Sequence, residues 1–371
     1  MNTTQAPRIR ASVIACIAVF SLLFTAVTHA GTSAKAKPGE WWNQPYPETF
    51  DSSQLKIETS RISVDGNRLI NEAGETIILR GVNFSDPDKL KSNRKWKKAH
   101  FAQAKAWGAN VIRLPVHPTA WQKRGKTDYL ALLDQAVVWA NELDMYLIID
   151  WHSIGNLKAE IFQHPMYNTS LTETREFWRQ IAHRYQGVNT IAVYELFNEP
   201  TTSGGKWGSL SWDEWRQVNE ELIAIIYAHD RHVIPLVGGF NWAYDLSEAG
   251  SNPIRAEGIA YAAHPYPQKS KKPIAEKPQD WDKSWGYMAK KYPILATEIG
   301  WMQDGLPGAH IPVIDDGSYG PAIIDYMNKH GVSWTAWCFD PDWAPQMISD
   351  WKYTPTEQGE FFRKVMLEEN P

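Results

Sequence analysis

Only two of the 371 residues are cysteines, Cys16 and Cys338. That excludes a disulfide-rich scaffold and a zinc cage of four thiolates. Positive charge is also short. Lys and Arg number 38 against 42 Asp and Glu, so no basic excess exists to neutralise a phosphate backbone, and nucleic acid is not an expected partner. No Gly-x-Gly-x-x-Gly follows the first strand-like run, which argues against a dinucleotide fold. Beyond one run near the start, no apolar stretch approaches membrane length. Tryptophan, in contrast, is in excess. Its 19 copies are about 5% of the chain, when even glycine averages only about 7% in ordinary proteins. A core does not need that many indoles. A neutral, polyhydroxylated ligand with apolar C–H faces does.

Arg8 and Arg10 precede an apolar run over residues 11–27, which ends in Thr28-His29-Ala30 with small residues where a signal peptidase reads. Residues 1–30 therefore read as a secretory signal peptide. A retained anchor is the alternative, but the run is short for a span and is broken by Ser12, Ser21 and Thr25. A lipoprotein reading of Cys16 is weak because the apolar run continues past it. Cleavage would leave 36 basic residues against 42 acidic ones and Cys338 without an intrachain partner. The expectation is a secreted or periplasmic monomer with no membrane contact once the signal is gone. Residues 31–56, rich in Lys, Pro, Gly, Gln and Ser, read as a linker or N-terminal arm, with Trp41 and Trp42 as its clamp. The catalytic domain is expected over 57–371.

From residue 61 the chain alternates. Arg61 to Val64, a turn at Asp65-Gly66-Asn67, then Arg68 to Ile70 read as a hairpin. Apolar runs follow at 77–84, 109–116, 145–151, 190–197, 232–238, 258–264, 293–298 and 332–338. Most are continuous rather than alternating, as in parallel strands buried on both faces. Helical segments separate them. Asp128 to Leu143 gathers Leu130, Leu133, Val137, Ala140 and Leu143 on one face. Ser170-Leu-Thr-Glu173 and Ser211-Trp-Asp-Glu214 each match a capping box, and Thr354-Pro-Thr-Glu357 adds a proline at the first helical position. Eight strands alternating with helices predict an α/β fold, a (β/α)8 TIM barrel with a short N-terminal β-hairpin. A doubly wound open sheet is the alternative.

In such a barrel, chemistry lies at the carboxyl ends of the strands. Those ends are polar here. In order they carry Arg113, Asp150-Trp151-His152, Asn198-Glu199-Pro200, His264-Pro265-Tyr266, Thr297-Glu298-Ile299-Gly300-Trp301, and Trp334 with Trp337. Glu199 and Glu298 end two strands on opposite sides of the barrel. Cleaving an acetal needs one acid to protonate the leaving oxygen and one carboxylate to meet the charge growing at the anomeric carbon. Glutamates are usually surface residues, but each of these follows directly on a buried apolar strand.

The motifs Ile-Arg113-Leu-Pro, Asp-Trp-His152, Leu-Phe-Asn198-Glu199-Pro, His264-Pro-Tyr266, Thr-Glu298-Ile-Gly and Trp337 resemble glycoside hydrolase family 5. That is the cellulase-type family of retaining clan A barrel glycosidases. The resemblance spans roughly residues 60–368 and fills its eight shared site positions: Arg113, His152, Asn198, Glu199, His264, Tyr266, Glu298 and Trp337. It implies Glu199 as the acid/base and Glu298 as the nucleophile, with no cofactor and no metal.

Physical roles follow. Arg113 and a Tyr266 hydrogen bond favour the charged form of Glu298, while a neighbouring carboxylate and aromatic packing raise the pKa of Glu199. Asn198 would donate to the sugar 2-hydroxyl. His152 and His264 would fix the carboxylates or bind hydroxyls; a metal site of His152, His264 and Asp150 is the alternative. Trp121, Trp151, Trp207, Trp242, Trp301 and Trp343 fall in loops after strands, and about half of them are expected to stack on sugar. Trp151, Trp242 and Trp301 are taken as substrate-binding with Trp337, whereas Trp139, Trp178, Trp212 and Trp215 are read as packing. The reading is an endo-acting glycosidase on β-1,4-linked polysaccharide, first a β-glucan, then β-mannan or xyloglucan. A non-catalytic carbohydrate-binding barrel and a barrel metallohydrolase are the competing classes.

Overall fold

A computed structural model describes residues 40–201 and 205–370. The expected signal segment lies outside the described residues, as do residues 31–39 of the expected arm. No helix among the described residues is long and apolar enough to cross a membrane.

Eight parallel strands close into a barrel in chain order: β1 (Arg80–Asn83), β2 (Val111–Val116), β3 (Tyr146–Trp151), β4 (Ile191–Glu195), β5 (Ile234–Gly238), β6 (Ala260–Ala262), β7 (Ile294–Ile299) and β8 (Ser333–Ala336). Each falls within or beside one of the apolar runs in the sequence. Their inward side chains, among them Ile148, Val193, Leu236 and Leu295, fill the barrel. The hairpin of Ser63–Asp65 and Arg68–Ile70 sends Ile62 and Leu69 into that same cluster, closing the amino-terminal mouth. Outward side chains pack beneath helices α1 (Lys98–Ala106), α2 (Lys126–Glu142), α3 (Leu171–Arg184), α4 (Trp212–Tyr227), α5 (Lys277–Ser284), α6 (Tyr319–His330) and α7 (Glu357–Glu369). The β5–β6 connection holds only the short turn Phe240–Ala243 in place of a full crossover helix.

The helix starts follow the side-chain chemistry. Ser211 and Glu214 form a complete capping box at α4. Ser170 caps α3 by accepting from the Glu173 N–H, but the Glu173 carboxylate turns to Thr169 and Gln122 instead. At α7 the expected cap is displaced by two residues. Thr356 accepts from the Gly359 N–H, and Pro355 lies outside the helix in a bridge to Ile348.

Residues 40–56 run along α3. Phe50 donates its N–H to the Arg184 carbonyl at 2.7 Å, and its ring lies against Tyr185. Tyr46 stacks on His183 with the Arg179 guanidinium 3.6 Å from its ring centre. Arg179 and Arg184 donate to the carbonyls of Gln44 and Glu48. Of the two indoles expected to clamp this segment, Trp41 lies 6.0 Å from the Arg175 guanidinium of α3, whereas Trp42 is 53% exposed. Phe50→Ala should destabilise the protein by about 3 kcal/mol, the low end for truncating a buried aromatic. Urea unfolding should show a lower midpoint at unchanged slope.

Candidate active site

All the polar strand ends open at one mouth of the barrel. Arg113, inside β2, is completely buried. Its Nε donates to Glu195 at 2.7 Å, Nη1 to Asn83 at 2.9 Å and Glu298 at 3.0 Å, and Nη2 to Asn198 at 2.7 Å, with Asp150 3.0 Å away. Burial opposes its charge, but Asp150, Glu195 and Glu298 raise its pKa further.

Glu298 sits where the β7–β8 register shifts between Ala296 and Ile299. Such irregularities re-aim a side chain at a sheet end. Its second oxygen accepts from the Tyr266 hydroxyl at 2.9 Å. Both partners expected to hold it ionised are therefore in contact. Burial is nevertheless the larger influence, and it leaves the carboxyl above its ordinary value against the pull of His264 and Arg113.

Glu199 is placed differently. Beyond β4, the pair Glu199–Pro200 adds in parallel to the short strand Ile154–Asn156 that follows β3. The Glu199 N–H donates to Ser153 and the Asn198 N–H to Trp151, so backbone bonds fix where both side chains begin. Asn198 presents its carbonyl oxygen to Arg113, and its Nδ2 has no partner among the described residues. A buried amide donor left open in this way is available to a ligand oxygen.

His264 bridges the two glutamates. Its Nδ1 is 2.9 Å from Glu199 and 3.8 Å from Glu298, and its Nε2 lies 3.0 Å from Thr297 Oγ1. Thr297 in turn donates to Glu195. Burial opposes a charge on the ring, yet Glu298, Glu195 and Glu199 outweigh it and push the pKa up to about 9. Oxygens of Glu199 and Glu298 and a nitrogen of His264 all lie within 4.8 Å of one another. Such a trio has the spacing to hold a cation, but both His264 nitrogens already hydrogen-bond within the site. The alternative set of His152, His264 and Asp150 does not assemble. His152 Nδ1 lies 2.6 Å from Asp150, whereas His264 faces the glutamates.

A cleft of about 590 Å³ opens above the pair, lined by His152, Tyr167, Trp242, Tyr266 and Trp337 among others. A larger, more open hollow of about 1010 Å³ adjoins it between segments 268–277 and 303–318, but it includes neither glutamate. Trp337, His152 and Trp343 stand nearly parallel, with centroids 5.5 and 5.9 Å apart. Trp242 lies on the opposite flank with Trp207 edge-on to it at 6.0 Å.

Two expected sugar-binding indoles are core residues instead. Trp151 is fully buried, stacked on Phe177 at 4.1 Å and bonded to Thr174. Strand side chains alternate, so Asp150 and His152 face the mouth and Trp151 faces the helices. Trp301 is buried under α7 between Tyr319, Phe361 and Phe362. Its backbone N–H donates to the Gln358 side-chain oxygen, and Gly320 leaves room for its ring. Trp121 is buried likewise. Three residues escaped the sequence reading: Glu195 and Asn83, which hold Arg113, and Tyr167, which lines the cleft. For the first two the signal was present, as a polar residue inside an apolar parallel strand.

The turn carrying Trp242 is strained. Asn241, Trp242 and Ala243 have φ of 56°, 57° and 53°. Left-handed backbone costs a non-glycine residue roughly 1–2 kcal/mol, so three in succession need outside support. Ala243 gives its carbonyl to the His264 N–H at 2.8 Å, Trp242 donates Nε1 to Gln163 at 2.7 Å, and Lys269 donates to the Asn241 carbonyl at 2.7 Å.

The model of the cellulase family, glycosyl hydrolase family 5, matches residues 70–342, and the chain belongs to that family. It is 57% identical to a β-glucanase from Saccharophagus degradans, with a TM-score of 0.87 over 89% of this chain and 99% of that one. The same enzyme in complex with cellotetraose aligns at a TM-score of 0.86. An endoglucanase from Clostridium saccharobutylicum is 27% identical over 75% of this chain and 56% of its own length. Endoglucanase N of Pectobacterium atrosepticum is 26% identical over 77% and 59%. The chain thus spans a little over half the length of these curated relatives.

A histidine whose folded pKa exceeds its unfolded value adds stability that is fully present below the unfolded pKa and lost as pH rises through the folded one. Between pH 6.5 and 9 the stability contributed by His264 should therefore fall, by about 3 kcal/mol. Urea unfolding across that window should show the fall in the wild type, and His264→Gln should flatten it.

Proposed function

We propose that this chain is a retaining, endo-acting β-1,4-glucanase that leaves the cell for the periplasm or the medium. The observation that carries the reading is the pair itself. Two carboxylates reach within 4.8 Å of each other across His264 at the floor of an aromatic cleft. Retaining enzymes hold their carboxyl groups about 5–5.5 Å apart, whereas inverting ones leave about 6.5–9.5 Å for a water.

In the first step a Glu298 oxygen attacks the anomeric carbon. The glycosidic C–O bond breaks, and the leaving oxygen takes a proton from Glu199. In the second step Glu199 accepts a proton from water, the water oxygen attacks the same carbon, and the Glu298 ester is released. The His264 ring, 2.9 Å from the Glu199 carboxyl, orients it for that proton transfer. Arg113 and Tyr266 support the carboxylate that Glu298 becomes again at the end. The open Nδ2 of Asn198 suits the sugar 2-hydroxyl, a contact that strengthens in the transition state. Trp337 beneath the cleft offers a face for a pyranose ring.

The glucan assignment is supported by the β-glucanase from Saccharophagus degradans and its cellotetraose complex. Cellohexaose should be cut and mannohexaose left largely intact, as read from product profiles run side by side; preferential cleavage of mannohexaose would replace the substrate class. Proton NMR of the first product should show the β-anomer, and an α-product would overturn the retaining step. Glu298→Ala should lose activity on every substrate by about 10⁴-fold or more. Glu199→Ala should keep far more activity on aryl cellobiosides, whose leaving groups need no proton, than on cellohexaose. Equal losses on the two substrates would contradict the assigned roles.

A further inference from the structure

Lys269 has no part in the reaction as written above, yet it reaches into the same cleft as Glu199 and Glu298. It lies in the turn Pro267–Lys269 that follows Tyr266. Its Nζ donates to the Asn241 carbonyl at 2.7 Å and stands 4.9 Å from the centre of the Trp242 ring. The two contacts fall on consecutive residues of the left-handed turn Asn241–Ala243. A hydrogen bond to the first residue and a cation over the indole of the second hold the turn from the cleft side. The Ala243 carbonyl on the His264 N–H holds its far end. Gln163, from the segment after β3, fixes the Trp242 Nε1. A lysine on a solvated loop would serve none of these ends. Burial holds its pKa down to about 8, against the pull of Glu199 and Glu298.

The position of Trp242 gives the arrangement its consequence. The turn follows β5, next to the strand that leads into Glu199, whereas Trp337 ends β8, next to the strand of Glu298. The leaving oxygen must lie at the acid, so the sugars that depart continue past Glu199 toward Trp242. We propose that Lys269 is a positioning residue that locks the Asn241–Ala243 turn and presents Trp242 to the leaving-group sugars. By this means it sets how strongly the enzyme prefers an oligosaccharide leaving group over a small aglycone. The proposal rests on the glycosidase reading and adds to it the residue that tunes one side of the cleft.

The test compares kcat/KM on cellohexaose with kcat/KM on an aryl β-cellobioside, whose leaving group offers no sugar to Trp242. Turnover of the aryl substrate by the wild type bears on the glycosidase reading; only the ratio of the two constants bears on Lys269. Lys269→Met should lower the ratio about tenfold, the order expected when a binding surface is misplaced by a fraction of its contact distance. Lys269→Arg, which can both donate and lie over the ring, should restore most of it. In a Trp242→Ala background Lys269→Met should change the ratio little, since the residue acts through that indole. Should Lys269→Met fail to fold, Lys269→Gln takes its place with a fall in the same direction. An unchanged ratio in the single variant overturns the proposal, and so does an equal fall with and without Trp242.

Discussion

A guanidinium sealed from water at the barrel mouth sets the terms for everything around it. Moving an ion of that size out of water costs several kcal/mol even after relaxation, so Arg113 is tolerable only with its donors matched. The matching partners come from β1, β3, β4 and β7, so one charge ties five strands at the end where chemistry happens. Four carboxyls gather there: Asp150, Glu195, Glu199 and Glu298. Arg113 alone cannot balance them, and His264 enters as a second cation on the opposite side of Glu195 and Glu298. Burial and these two cations then act unequally on the carboxyls. Burial lifts Asp150 well above the usual carboxylate range, whereas Arg113 and the His264 bond hold Glu195 below it in spite of burial. Residues of one chemical type are thus shifted in opposite directions by the balance of burial and cation that each one meets.

The barrel was legible in the sequence because its strands are buried on both faces. Continuous apolar runs mark parallel strands covered on both faces, a property a barrel shares with an open doubly wound sheet, and their polar last residues mark the mouth. The eight family-like positions converge for the same reason. What was not legible depends on direction rather than on position along the chain. Trp151 sits between two inward residues and must point outward, a consequence of strand alternation that the sequence alone allowed one to foresee. Trp301 is different. Its burial follows from Gln358 on α7 and the missing side chain of Gly320, partners 57 and 19 positions away that no local pattern connects to it. Thr356 took the cap from Thr354 because Pro355 is engaged in a bridge to Ile348. Glu195 and Asn83 were read as strand, although a charged or amide side chain inside an apolar strand demands a buried partner.

The tryptophan excess therefore has two sources. Trp107, Trp121, Trp151, Trp178, Trp215, Trp281, Trp285 and Trp334 are fully or nearly fully buried, filling the wide layer between strands and helices. The cleft needs only Trp337 and Trp242 within it, flanked by Trp343 and Trp207. An indole count points to a sugar-binding protein, but it overstates the binding surface, because the same flat, rigid ring also suits the space under a helix.

The two glutamates are held by different means. Glu298 lies past the last β6 partner of its strand and within the register shift against β8, and its carboxyl is clamped by Arg113 and Tyr266. Glu199 lies beyond its strand, on a two-residue pairing with Ile154–Asn156, and among the described residues its side chain is anchored by His264. That histidine is itself tied through its backbone to the strained turn after β5. As the proposed nucleophile, Glu298 must meet a carbon along one line of attack, which the Arg113 and Tyr266 clamp serves. As the proposed acid/base, Glu199 must follow an oxygen that departs and then a water that arrives. A carboxyl on a short peripheral pairing beside the His264 ring suits that second task. The same connection links the strained Asn241–Ala243 turn to Glu199: the Ala243 carbonyl holds the His264 N–H, and the His264 ring holds the Glu199 carboxyl.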